Sequence, residues 1–509
     1  MAAAIFKKLL SNLKSKQKSE YVLTSFVILR LLGFIYFIAF LSLANQVVPL
    51  IGENGLLPAK NFLSSFRFDS KFDAFINLPT IFWFNVSDKF LLVLAWTGVI
   101  LSLIVLFGFA NAPLLFILWL VYMSFVHIGQ TWYSYGWEIQ LLETGFLAMF
   151  LCPLIDPRPF AKPPKTVIWL FRWLSFRIYI GAGLIKIRGD QCWRDLTCLY
   201  YHYETQPIPN TLSIYFHFMP KWFHKIGLLW NHFIELIVPF FSFYPRTARH
   251  IAGILMISFQ FILILSGNLS FLNWLTILPS IACFDDSFFR KIMPKWITNK
   301  SEQRSKNILP KSQNAAAWIL VVFVAWLSIP VVQNLFSSHQ YMNTSFNRWE
   351  LVNTYGAFGS VGKERYELIL EGTDDDAITP KTKWKEYEFI GKPGDIYKIP
   401  PVIAPYQPRI DWQIWFAAME RPEQNPWLIH LIWKLLDNDK GALSLLANNP
   451  FPDKPPKYIR VQFYRYQFTE LNNPEHAIWK RTYIGEWLPL LSKSNTGFAE
   501  YIKAYGWEK

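Results

Sequence analysis

The chain has 509 residues, of which 52% are hydrophobic, 18% aromatic and only 17% charged, with a formal net charge of +14. That is too apolar for an ordinary soluble enzyme of this size and marks a membrane protein. The positive charge does not indicate nucleic acid: Lys and Arg gather in short blocks beside hydrophobic runs, with no recognition module or basic aromatic ladder. Four cysteines are too few for a disulfide scaffold.

A hydrocarbon core about 30 Å thick needs roughly 20 apolar residues per helix. Nine runs approach that length: Tyr21 to Ala44, Lys89 to Ala110, Ala112 to Gln130, Trp137 to Leu154, Thr166 to Ile187, Ile226 to Tyr244, His250 to Ser266, Asn268 to Phe284, and Asn314 to Phe336. The runs ending at Ser266 and Phe284 are short enough to form a tight hairpin or a partly re-entrant pair, so about eight or nine spans are expected. The first run is longer than a signal peptide's apolar region and has no small-residue cleavage pattern behind it, so it reads as a retained span.

Lys7, Lys8, Lys14, Lys16 and Lys18 precede that span and predict a basic cytosolic N-terminus over residues 1–20. Alternation then places three loops in the cytosol, and each is basic. Residues 155–165 carry Arg158, Lys162 and Lys165, and residues 245–249 carry Arg246 and Arg249. The longest, 285–313, carries Arg290, Lys291, Lys295, Lys300, Arg304, Lys306 and Lys311. The predicted layout is a multi-span unit over 21–284 with a non-cytosolic loop at 188–225, the cytosolic loop 285–313, a last span at 314–336, and a non-cytosolic region from 337 to 509. Non-cytosolic means lumenal in a eukaryote and periplasmic in a bacterium.

Beyond Phe336 long apolar runs stop. Period-two segments at Tyr366 to Leu370, Trp384 to Phe389 and Tyr458 to Phe468, bounded by Gly, Pro and Asp clusters, predict strands. Trp412 to Glu420 and Trp427 to Leu436 have helical spacing, the second with Asn425 and Pro426 as cap and first-turn residues. The fold class is therefore a polytopic α-helical membrane bundle followed by a soluble α+β domain of about 170 residues. The Pro-rich joints KIPPVIAPYQP and NPFPDKPPK read as rigid connectors.

Catalytic motifs are sparse. GAFGSVGKE, residues 356–364, lacks the spacing of a phosphate loop, which would need Gly at 357 and Ser or Thr at 364; it reads as a glycine-rich turn before a strand. GAGLIK, residues 181–186, sits inside a span, where small residues allow close helix approach. No HExxH, GxSxG or zinc-type cysteine pairing occurs, and no cofactor or metal is expected.

Ionisable residues within the runs are the candidates for buried function: Arg30, Glu143, Arg172, Arg177, Lys186, His232 and Glu235. A charge at mid-membrane costs about 2.5–3.5 kcal/mol, so each needs a partner or a water-filled cavity. His232 and Glu235 are three apart on one helix face. They read as a proton relay, metal site or polar cavity, or as a structural ion pair with facing arginines, with Lys186 alternatively snorkelling to an interface; the structural reading is favoured. Cys152 and Cys283 read as small buried hydrophobes.

The loop 188–225 contains Cys192 and Cys198, which in an oxidising compartment read as a structural disulfide in preference to a redox-active or unpaired state. His202 and His217 in the same loop lack an accompanying metal-ligand set. Asn85, Asn268 and Asn343 begin glycosylation sequons. If the source is eukaryotic, Asn85 and Asn343 fall on the lumenal side, while Asn268 is squeezed between spans.

Several stretches carry a resemblance. GLIKIRGDQCWRDLTCLYYHYETQPIPN, NHFIELIVPFF, PRTARHIAG, FQFILILSGNLSFLNWLTILP, VNTYGAFGSVGKERYELILEGT, WKEYEFIGKPGD, RIDWQIWFAAM, NPWLIHLIWKLL and NPFPDKPPKYIRVQFYRYQFT together resemble the lipase maturation factor family, over Tyr21 to Leu491. The resemblance implies a multi-pass protein, resident in the endoplasmic reticulum membrane in animals and in the inner membrane in a bacterium. Its implied role is to help secreted dimeric lipases such as lipoprotein lipase fold and assemble. The family's membrane part is also similar to the vitamin K-dependent carboxylases, so the alternative is a membrane enzyme acting on a lipid or protein side chain in a cavity lined by Arg177, His232 and Glu235. On the leading reading the protein is not an enzyme but a folding factor that holds partly folded clients, which requires no nucleotide. The client-binding surface expected for it is the exposed aromatic surface of the non-cytosolic domain together with the loop from Cys192 to Asn210, in which Trp193, Tyr200, Tyr201, His202, Tyr203 and Glu204 are the candidates. Expected partners are membrane lipids, client lipases or other secreted proteins, and redox or chaperone partners.

Overall fold

A computed structural model describes residues 19–305 and 309–507. The five N-terminal lysines and Lys306 lie outside these residues.

Each of the nine apolar runs contains a helix: α1 (Val22–Ile51), α2 (Asp88–Phe107), α3 (Ala112–Ile128), α4 (Gly136–Met149), α5 (Lys165–Arg188), α6 (Lys221–Leu236), α7 (Arg246–Ser266), α8 (Leu272–Ile281) and α9 (Lys311–Phe336). Six are long and apolar enough to cross a membrane: α1, α2, α5, α6 with the 3₁₀ turn that follows it, α7 and α9. Length alone thus supports six of the expected eight or nine spans and leaves the rest unconfirmed, because α3, α4 and α8 have only 17, 14 and 10 residues. In α4 the cause is compositional, since Glu138, Gln140 and Glu143 interrupt the apolar run and are all buried. In α8 the helix proper covers only part of the run from Asn268 to Phe284.

The helices differ in what covers them. α1 lies inside the bundle with most of its length buried, whereas α9 leaves Trp318, Ile319, Val322, Trp326 and Ile329 exposed in the bare chain. Such a stripe suits hydrocarbon, which solvates these side chains as well as protein does.

Long-range hydrogen bonds gather the helix ends into two layers. At one end the Ala110 N–H donates to Pro157 O at 2.8 Å, Gln313 Nε2 to Cys152 O at 2.9 Å, and Arg304 Nη2 to Asp156 Oδ2 at 2.6 Å. There Asp285 accepts from Arg246 at 2.7 Å and Arg249 at 2.6 Å. Neighbouring Asp286 caps α1 from across the chain, accepting the Val22 N–H at 3.1 Å and the Leu23 N–H at 2.8 Å. A carboxylate there satisfies donors that have no partner within the helix and complements the helix dipole. All three basic loops contribute to this basic end.

At the opposite end sits the C-terminal α+β domain. Its antiparallel sheet has the order β2-β1-β3-β4, with β1 (Arg365–Thr373), β2 (Lys385–Tyr387), β3 (Tyr458–Phe468) and β4 (Trp479–Leu491). The first three answer the period-two segments; β4 was not expected, because Gly485 and Pro489 interrupt its pattern. As the edge partner of β3 it tolerates a proline, and a register shift between Phe463 and Tyr464 lies beside Gly485. Helices α10 (Arg409–Ala417), α11 (Pro426–Leu435) and α12 (Thr496–Ala504) complete the domain. Pro426 does begin α11, but Asn425 Oδ1 accepts from the Trp427 indole at 3.2 Å instead of capping the backbone.

Candidate functional site: the seam between bundle and C-terminal domain

Glu143 of α4, Arg177 and Lys186 of α5, and His232 and Glu235 of α6 lie along one seam, and each has its own partner. Glu143 is fully occupied. It pairs with Arg177 and accepts the Asn353 N–H at 2.9 Å and the Tyr355 hydroxyl at 2.7 Å, while Arg177 Nη1 donates to Asn353 O at 2.7 Å. Both charged side chains are buried. A segment of the C-terminal region therefore supplies the groups that solvate an ion pair inside the bundle, which is what an unhydrated carboxylate requires.

The second pair joins α5 to α6. Lys186 Nζ donates to Glu235 Oε1 at 2.6 Å and to Asn231 Oδ1 at 3.0 Å, and Asn231 Nδ2 donates to Glu235 Oε2 at 2.9 Å. Lys186 is only 4% exposed, so it does not snorkel. Gly183 on α5 permits this contact: a Cβ there would stand 2.7 Å from a Leu236 methyl and 3.0 Å from Glu235 Cβ. Gly181 likewise lets Tyr355 O approach within 2.3 Å of where its Cβ would be. Both glycines act through close approach.

Glu235 thus meets a lysine, not an arginine. His232 turns away from it, its Nε2 donating to Trp193 O at 3.1 Å. Arg177, His232 and Glu235 therefore have separate partners and do not form the cavity that the enzyme alternative needs. Arg172 is buried near the basic end, donating to Ala282 O at 2.8 Å and the Tyr21 hydroxyl at 2.9 Å. Arg30 Nε donates to Val105 O at 2.7 Å, with its guanidinium 4.8 Å from the Phe26 ring centre.

Cys192 and Cys198 are disulfide-bonded, with Cα atoms 4.8 Å apart, and both are buried with Trp193, Leu228 and Val361. Trp193 fixes this loop from three sides. Its ring lies 4.9 Å from Lys186 Nζ, its indole N–H donates to Phe358 O at 2.8 Å, and its carbonyl accepts from His232. The glycine-rich turn closes over it, as the Asp190 N–H donates to Gly359 O at 2.9 Å and a Cβ on Gly189 would stand 2.1 Å from that oxygen.

This packing changes the expected client surface. Trp193, His202, Tyr203 and Glu204 are buried, and only Tyr200 and Tyr201 are partly accessible. The loop folds into short helices, Leu199–Thr205 among them, whose aromatics pack inward. Burial pushes His202 down to about 4 and raises Glu204 above the usual carboxylate range, where it accepts the Phe468 N–H at 2.7 Å. Burial also pushes His217 down to about 4. Among the described residues no three His, Cys, Asp or Glu side chains stand together as a metal site. Cys152 and Cys283 are buried free thiols. The sequon residues Asn85 and Asn343 are both exposed.

Two further networks were not anticipated. Arg409, from the start of α10, donates to Glu138 at 2.8 Å, both side chains being fully buried. Around them Gln407 O accepts from Ser42 and Gln46 of α1 at 2.8 Å each. In the sheet, Arg365 and Lys392 flank Glu367 at 2.6 and 2.9 Å, and Arg365 reaches Glu204 O at 2.9 Å and Pro207 O at 3.0 Å. Burial lowers Lys392 to about 8 and raises Asp411 to about 7. The sequence signal for these is faint: isolated charges in aromatic surroundings, with partners more than 150 residues away in several cases.

The fold and this seam define a multi-pass membrane protein whose C-terminal domain is locked onto its helical bundle by the buried Arg409–Glu138 pair and by hydrogen bonds to the Glu143–Arg177 pair. A family model described as the lipase maturation factor transmembrane domain matches residues 23–291, and one described as the lipase maturation factor C-terminal domain matches 351–489. The chain belongs to the lipase maturation factor family. It is 48% identical to lipase maturation factor 1 of Mus musculus, over 95% of this chain and 89% of that protein. It is 47% identical to lipase maturation factor 1 of Homo sapiens, covering 95% and 90%, and 30% identical to lipase maturation factor 2 of Xenopus laevis, covering 89% and 80%. No solved structure matches the chain.

Proposed function

We propose that this protein is a membrane-anchored factor for the maturation of secreted lipases, acting without chemistry of its own by holding clients before they are assembled. The observation that carries this reading is the 48% identity to a lipase maturation factor over nearly the whole of both chains. The pairing of each intramembrane acid with a dedicated partner supports it, because a paired, desolvated carboxylate is a poor general base. The carboxylase-like alternative has no comparable support.

The location that fits is the endoplasmic reticulum membrane, with the C-terminal domain in the lumen, where the Cys192–Cys198 bond persists and clients fold. Nine crossings fit better than six. Asn111 and Ile155 meet at the basic end while Gln130, beyond α3, meets Leu57 at the other, and Asn268 and Asp285 bracket α8 in the same two layers. α4 and α8 are buried by their neighbours along most of their length, so non-helical residues flanking them need not face lipid. Client contact falls to the exposed face of the C-terminal domain together with Tyr200 and Tyr201, with redox or chaperone partners of the lumen as accessory factors.

The test is complementation. Cells lacking their own lipase maturation factor and expressing a dimeric lipase should regain secreted lipase activity when this chain is supplied. Unchanged lipase activity, with the chain present at normal level in the membrane, would reject the reading.

A further inference from the structure

Two cavities, of about 680 and about 500 Å³, open on the C-terminal-domain end of the bundle and share Gln130, Ser134 and Tyr135. They adjoin at these residues and line a cleft between the α3–α4 turn, residues 57–62, the α10–α11 connection and residues 343–350. The disulfide and the buried pairs of Lys186 and Arg177 take no part in it.

The chemistry of the lining is distinctive. In the larger cavity Trp427, Tyr505 and Trp507 stand with Glu420 and the amides of Asn61, Gln130 and Gln424, and no lysine or arginine lines it among the described residues. Tyr505 stacks on Trp507 at 4.5 Å between ring centres, meets Tyr501 at 4.9 Å on another side and is 45% exposed, so that it presents an aromatic edge to the cleft while Trp427 and Trp507 are buried behind it. Asn61 and Gln424 are exposed beside it. In the smaller cavity Glu350 Oε2 is buried with no hydrogen-bond partner among the described residues, while the Tyr133 ring is held against the Arg409 guanidinium at 3.5 Å. Buried polar atoms are normally satisfied, so this carboxylate oxygen calls for a polar ligand or water. Gln130, Asn343 and Glu350 all have positive φ, at 50°, 49° and 54°, in a region that non-glycine residues seldom adopt and that clusters at ligand clamps.

An anionic ligand would meet Glu420 and no described cation in the larger cavity, Arg348 lining only the smaller one, and a hydrocarbon ligand would strand its amides. We propose that the cleft binds an oligosaccharide. Pyranose rings present apolar C–H groups that pack against the exposed part of an aromatic ring such as Tyr505, and hydroxyls that both donate and accept, matching the two-way hydrogen bonding of planar amides. The volume of the larger cavity lies within the roughly 300–1,000 Å³ of small-ligand sites. Two sources supply that chemistry: the glycan of another glycoprotein, or a glycan attached at Asn343, which itself lines the smaller cavity. This inference stands on the cleft alone and is independent of the lipase reading.

The test is titration of the full-length protein, purified in detergent, with a free oligomannose N-glycan, followed by tryptophan fluorescence and saturation-transfer NMR. Saturable binding is expected, weakened about tenfold by Tyr505→Ala and severalfold by Asn61→Ala, with the melting temperature unchanged. If Tyr505→Ala fails to fold, Asn61→Ala and Gln424→Ala carry the comparison. Asn343→Gln separates the sources: tighter binding than wild type means that the protein's own glycan occupies the cleft, and unchanged binding means that the cleft serves a glycan on another protein. No saturable binding by either wild type or Asn343→Gln, or binding that the folded Tyr505 and Asn61 variants leave unchanged, would overturn the proposal.

Discussion

Arg409 and Glu138 meet at 2.8 Å with no exposure of either side chain, joining the first turn of α10 to the first turn of α4 across 271 residues of sequence. A pair so desolvated contributes little net stability over an apolar replacement, but breaking it leaves a bare charge. Arg409→Ala or Glu138→Ala should each cost about 3–5 kcal/mol. Thermal unfolding in detergent should show both variants melting well below wild type, with low steady-state protein in cells; a variant melting like wild type would remove this contact from the account.

Lys186 and Glu235 distinguish a structural pair from a reactive one. Lys186→Met and Glu235→Gln singly should destabilise the protein and lower its level. The double substitution Lys186→Met with Glu235→Leu should recover much of that loss, because removing both charges of a buried pair is close to neutral. Lipase maturation should recover with it. A double variant that is well folded yet inactive would instead give these side chains a chemical role.

The Cys192–Cys198 bond closes a short loop at a sequence separation of 6, so its effect on the unfolded chain is modest, about 2 kcal/mol. With both sulfurs buried under Trp193 and the glycine-rich turn, a dithiol reagent should reduce the bond only after the protein unfolds. Maleimide labelling after brief native reduction should leave these cysteines unmodified. Rapid native labelling would mark them as an exchanging pair.

His430 gives a pH dependence of definite sign. It is buried on α11, stacks on Trp507 at 4.4 Å and donates through Nδ1 to Leu56 O at 2.8 Å, and burial pushes it from its ordinary 6.5 to about 4. Between these values the unfolded chain binds the proton and the folded chain does not, so stability is full above pH about 6.5 and falls as pH drops toward 4. This site should lose about 1 kcal/mol between pH about 7.5 and about 5.5. His430→Asn keeps the donor to Leu56 and should flatten that part of the melting-temperature profile. An unchanged pH profile in the variant would show that His430 is not the titrating group.

How much of this was legible follows from the range of each interaction. The nine apolar runs located their helices because hydropathy is a property of consecutive residues, and Tyr458–Phe468 matched β3 for the same reason. Boundaries slipped where tertiary contacts decide. α1 continues past Ala44 through Pro49 to Ile51, and α8 is shorter than its run. Of the candidate site, the charges of α4 to α6 were visible as costs needing partners, yet Glu235 took Lys186 and left His232 to Trp193. Glu138, Arg409 and Arg365 escaped notice, since nothing local marks a charge whose partner lies in a distant segment. The client loop was misjudged in exposure because aromatic residues read alike whether they face solvent or the turn 356–364.

The account rests on the C-terminal domain sitting on the face of the membrane opposite the basic loops. Its most direct test is protease protection in sealed microsomes with a tag after β4. Protease added outside should cut within residues 285–313 and leave the tagged fragment from α9 onward intact until detergent is added. Loss of the tag in intact microsomes would place the domain in the cytosol and contradict the account.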